Sequence, residues 1–131
     1  NTAHITRHLQ RIAFVAQNHP EELSVARSIA FNATGTTTAT SQAFVAGWQV
    51  TNTNAAARYL KLYNKATAAT EADTPVVTIH LPATSTVNYS IPGSIRFSAG
   101  LSIRCVTGVA DNDTTGAGSG EVYTHVFYKV R

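Results

Sequence analysis

Arg58-Tyr-Leu-Lys-Leu-Tyr-Asn64 is the stretch on which the reading of this chain turns. Leu60 and Leu62 fall on one side of an extended backbone, and Tyr59, Lys61 and Tyr63 on the other. A period of two marks a strand with one face in a core and one face turned outward.

The same device recurs on both sides of it. Upstream, Ala43-Phe-Val-Ala-Gly-Trp-Gln-Val-Thr51 places Phe44, Ala46, Trp48 and Val50 on one face. Trp48, mid-strand among apolar neighbours, reads as a core anchor. Gly47 beside it predicts a bulge or a close backbone approach. Downstream, Pro75-Val-Val-Thr-Ile-His-Leu-Pro82 turns Val77, Ile79 and Leu81 inward. Its prolines sit at the ends, where no central ladder bond is lost. Two short strands, 87–91 and 95–97, are divided by the turn dipeptide Pro92-Gly93. Residues 101–107 follow, with Cys105 on the same face as Leu101 and Ile103.

The closing strand, 121–131, carries bulk on both faces: Val122, Val126 and Tyr128 on one, Tyr123, His125 and Phe127 on the other. Such a strand is expected to be central or covered on both sides. Residues 22–31 read as an irregular strand and 32–41 as a polar, Thr-rich loop. About eight strands at roughly ten-residue spacing predict an all-β domain, a single antiparallel β-sandwich or jelly roll. The expected division is an N-terminal arm or short helix over 1–20 and a sandwich over 21–131. In the arm, Ile5, Leu9 and Ile12 share a helical face, while the run containing Ile12 and Phe14 also suits an extended segment.

Composition narrows the function. The 131 residues are 44% hydrophobic, enough for a core, but only 13% charged, against a usual share of roughly 25%. A surface of Thr, Ser, Asn and small residues suits a domain that spends area against other protein. The formal charge of +3 is dispersed, so a nucleic-acid partner is not expected. Only His4, Arg7, His8 and Arg11 approach a cluster. No apolar run reaches the length of a membrane span, so no membrane partner is expected. The single cysteine, Cys105, has no partner for an internal disulfide and reads as a small buried apolar residue.

Catalytic and metal-binding patterns are weak. His4 and His8 stand four apart without a third ligand nearby. Asp111-Asn-Asp113 lies in a glycine-rich loop but lacks the calcium-loop pattern, and turn chemistry accounts for it. Gly116-Ala-Gly-Ser-Gly120 is not followed by the Lys-Ser/Thr pair of a phosphate loop. No nucleophile, base and orienting group can be named together. No enzyme activity, cofactor or metal is therefore expected.

Four motifs carry a resemblance. They are Ala55-Ala-Ala-Arg-Tyr-Leu-Lys-Leu-Tyr-Asn-Lys-Ala66, Asp73-Thr-Pro-Val-Val-Thr-Ile-His-Leu-Pro82, Phe97-Ser-Ala-Gly-Leu101 and Thr107-Gly-Val-Ala-Asp-Asn-Asp-Thr-Thr115. In this order the series, spanning residues 42–128, resembles a family of small tailed-bacteriophage proteins, β-sandwich virion components encoded among head-assembly genes. The resemblance implies a structural protein of the particle, a capsid decoration or cement protein. Its implied partner is the major capsid protein, its location the capsid surface, and its assembly a homo-oligomer, with a trimer favoured. Made in the bacterial host cytoplasm, such a protein works by contact area and not through a pocket. The alternatives are a host-glycan binding module of a tail or fibre, and a head–tail connector component. Candidate interface residues are Ile5, Leu9, Ile12 and Phe14 in the arm and the outward aromatics Tyr59, Tyr63, Tyr123 and Phe127, because tyrosine and other aromatics are favoured at interfaces.

Overall fold

The computed structural model describes residues 22–131. Eight antiparallel strands run in chain order: β1 (Ser24–Ser28), β2 (Thr36–Ala39), β3 (Ala43–Asn52), β4 (Arg58–Asn64), β5 (Val77–Leu81), β6 (Ser85–Phe97), β7 (Leu101–Val106) and β8 (Val122–Val130). They form two four-stranded sheets, a front sheet ordered β1-β8-β3-β6 and a back sheet ordered β2-β7-β4-β5. The pairs β1·β8, β2·β7, β3·β6 and β4·β5 are what results when one long hairpin folds over on itself. That is the strand order of an eight-stranded jelly roll, the form expected from the alternating segments.

The inward side chains meet between the sheets. Val45, Trp48, Val50, Val122 and Val126 come from the front. Leu60, Leu62, Ile79, Leu81, Ile103 and Cys105 come from the back. Leu60 and Leu62 are fully buried, each contributing about 2 kcal/mol by removal from water. Trp48 is the anchor expected of it, only 7% exposed. Burial pushes the Cys105 thiol up to about 12, so it packs as an uncharged apolar group.

Three sequence expectations change. The face of β3 is not Phe44, Ala46, Trp48 and Val50. Val45 pairs with Tyr128 and Gly47 with the next residue, Phe127, so Ala46 is an inserted residue. This bulge brings Ala43 and Val45 into the core ahead of it and Trp48 and Val50 after it. Gly47 permits the bulge because a Cβ there would collide with the Tyr89 carbonyl oxygen.

The two short strands expected at 87–91 and 95–97 are one element, β6. Pro92 and Gly93 form a protrusion inside it, opposite the β3 bulge, where pairing jumps from Ile95 to Ser90. Gly93 and Ser94 both take positive φ there (97° and 103°). Proline is tolerated because β6 is an edge strand. Conversely, the Thr-rich stretch read as a loop contains β2, which pairs with β7. β8 is central, between β1 and β3, as its bulk on both sides suggested.

Candidate functional site

The outward face of the back sheet is covered by the chain itself. Lys61, Ser102 and Arg104 have no exposed surface and Tyr63 retains 1%. Loops laid across a sheet bring backbone carbonyls into a dry place, where each needs a donor. Arg104 supplies three: Nε to Ala33 O (2.6 Å), one terminal nitrogen to Asp113 O (2.6 Å) and the other to the Tyr63 hydroxyl (2.9 Å). Its guanidinium also lies over the Tyr63 ring, 5.9 Å from the centroid. Lys61 donates from Nζ to Ala110 O. The Ser102 hydroxyl accepts from Ala69 N–H at 2.9 Å.

Lys61 is held below its ordinary value by burial first and by the nearby Arg104 charge second, with Asp111 and Asp113 opposing. Asp113 serves the loop itself. Its Oδ1 accepts from Thr115 N–H at 2.8 Å, an Asx turn of the kind the sequence suggested. Among the described residues, no group of three or more His, Cys, Asp or Glu side chains converges as metal ligands would, and no helix is long and apolar enough to cross a membrane.

Burial removes Tyr63 from the candidate interface residues. It faces outward from its strand, as alternation requires, but it is only 1% exposed and its hydroxyl is bound by the buried Arg104. Tyr59 is half-buried and stacks on His80, with centroids 5.2 Å apart. Ile5, Leu9, Ile12 and Phe14 lie outside the described residues.

The outward face of the front sheet has no comparable cover among the described residues. Ladder pairing sets Val25, Phe127 and Gly47 in one row and Arg27, His125 and Gln49 in the next. Tyr123, Thr51 and Thr86 form the row beyond. Leu23 and Val25 are each 50% exposed and Tyr123 41%. Phe127 is half-buried. This face divides in two. At one end, a cleft of about 370 Å³ is lined by Leu23, Phe44, Ala46, Gly93, Ser94, Lys129 and Arg131. Arg131 lies over the Phe44 ring, 5.3 Å from its centroid. At the other end, a cleft of about 330 Å³ is lined by Gln49, Thr51, Thr53, Tyr123 and His125.

Sequence reasoning named Tyr123 and Phe127, which lie on this outward face, but not Leu23, Val25 or Phe44. The irregular pattern of 22–31 concealed the first two. The β3 bulge turned Phe44 outward.

Two ion pairs stand apart from both faces. Arg58 Nε donates to Glu121 at 3.0 Å, tying the start of β4 to the segment before β8. The Arg58 bond, then the Gly118 N–H, hold the Glu121 carboxyl below its ordinary value. Lys65 does the same for Asp73, at 2.7 Å. No protein-family model, curated protein or solved structure matches this chain.

Proposed function

We propose that this jelly roll is a non-catalytic adhesion subunit whose front sheet docks on neighbouring protein. More narrowly, the proposal is a structural virion protein of a tailed bacteriophage, a decoration or cement protein seated on the capsid shell. The observation that carries it is the exposed apolar end of the front face, with Leu23 and Val25 half exposed beside Phe127 and Phe44. Apolar residues gathered on one open sheet face are the usual mark of a protein contact.

Charge supports the same reading. Arg27 and Arg96 lie in the outward rows of this face or beside it. The complementary partner surface has an apolar centre and an acidic rim. Jelly rolls build viral capsid and lectin domains alike. The fold is thus compatible with the role without selecting it. The four motifs that resemble phage virion components supply the choice of particle.

The test uses the full chain added to capsid shells assembled without it. Wild-type protein saturates defined shell sites. The double variant Leu23→Ser, Val25→Asp, still folded by circular dichroism, binds at least tenfold more weakly. Equal occupancy by the variant, or no binding of wild-type protein to shells, overturns the proposal. Raising salt from 50 to 500 mM weakens binding if the cationic rim contributes.

A further inference from the structure

We propose that the polar end of the front face is a shallow site for a neutral sugar ring. It rests on different residues from the adhesion surface. The cleft of about 330 Å³ lies near the lower bound of ligand sites, roughly 300–1,000 Å³. Its lining is Gln49, Thr51, Thr53, Tyr123 and His125, a phenol ring among side chains that can both donate and accept hydrogen bonds. All but Thr53 stand on the neighbouring central strands β3 and β8, so the platform is rigid and a ligand need not order it.

The hydrogen-bonding state of each group favours a ligand that both donates and accepts. The Thr51 hydroxyl meets that of Thr86 at 2.9 Å. Thr53 donates its proton to Glu121 O at 2.8 Å, which leaves its oxygen as an acceptor. His125 Nδ1 faces Gln49 O at 3.3 Å. In the neutral ring this carbonyl selects the Nδ1–H tautomer and leaves Nε2 as an acceptor. The exposed Gln49 amide offers both functions.

Tyr123, 41% exposed, supplies an apolar ring face with a polar tip. A sugar ring answers this set: its C–H face lies on the tyrosine, and its hydroxyls donate to and accept from the rim. A purely apolar ligand would strand the rim's polar groups. A strongly charged one finds no opposite charge in the lining. Arg27 flanks the site in the His125 row without lining it.

Isotope-labelled full-length protein titrated with the methyl glycosides of glucose, galactose, mannose and N-acetylglucosamine tests this by amide chemical-shift mapping. At least one sugar is expected to shift Gln49, Thr51, Tyr123 and His125, with Kd on the order of 1 mM, as befits an open site. Tyr123→Ala weakens binding at least tenfold, whereas Tyr123→Phe, which keeps the ring, stays within about threefold. No shift with any of the four sugars, shifts that persist in Tyr123→Ala, or a nucleoside shifting these residues in place of the sugars would each overturn the inference. The Leu23→Ser, Val25→Asp protein should keep its sugar response, and Tyr123→Ala its shell binding. The two proposals therefore fail separately.

Discussion

Lys61 and Arg104 on the back sheet, and Val25 and Phe127 on the front, occupy the same kind of position: the outward side of an alternating strand. Charged residues belong in water and apolar ones out of it, yet here the charges are buried and the Val25 side chain is exposed. The difference lies in what crosses each sheet. Loops around residues 33, 69 and 107–117 lie over the back sheet, and their carbonyls require donors that cannot be water. Cations at the centre of the sheet meet that need. Nothing among the described residues crosses the front sheet in this way, and Leu23 and Val25 stay half exposed there.

The largest effect should come from breaking the covered face. Arg104→Ala leaves Ala33 O, Asp113 O and the Tyr63 hydroxyl without their buried partner. Each buried group left unpaired costs about 1–3 kcal/mol, and the three are held by one side chain. A loss of about 3 kcal/mol or more in urea unfolding is expected. A loss below about 1 kcal/mol would mean that the loops do not depend on the guanidinium, and the contrast between the two faces would lose its physical cause.

Much of this was legible in advance. Alternation fixed the inward sides of β4, β5 and β7, and the short polar connections fixed the antiparallel sandwich. Three features were not visible, each for a local reason. β2 consists of Thr and Ala, whose polarity matches a loop because it is a short edge strand. Gly47 announced a bulge, but a bulge inverts the face of one flank, and sequence does not say which. Outward and solvent-exposed are different properties: Tyr63 has the first and not the second, because the outward face of its sheet is itself covered by chain. The site was half legible for the same reason. Tyr123 stands on a clean strand, whereas Leu23 and Val25 precede any regular pattern.

A smaller effect sharpens the same contrast through pH. Lys61→Met keeps the length of the side chain and removes a buried charge, but it leaves one carbonyl, Ala110 O, without its donor, so a loss of about 1–2 kcal/mol at pH 7 is expected. The folded-state pKa of Lys61 is lowered from its ordinary 10.5. Between the two values the unfolded chain binds the proton and the folded chain does not, so the wild type gains stability as pH rises through that window. Unfolding curves at pH 7 and pH 10 should therefore show wild type gaining on Lys61→Met. A difference that is constant with pH would show that Lys61 titrates normally and is not desolvated.

The smallest effect belongs to the open face. If Val25 serves a partner and not the domain, its loss should scarcely matter to folding. Val25→Ser exchanges a half-exposed side chain for a polar one on strand β1, which among the described residues pairs only with β8. Surface changes of this kind usually fall within about 0.5 kcal/mol, and that is the shift expected in urea unfolding. Deleting residues 1–20 gives a second reading of the same question, since that segment precedes Leu23 in the sequence. The truncated chain should keep the unfolding midpoint of the intact one while losing attachment to shells. A midpoint that collapses on truncation, or a Val25→Ser loss above about 2 kcal/mol, would mean that the front face is packed within the chain, and that both sheets are closed.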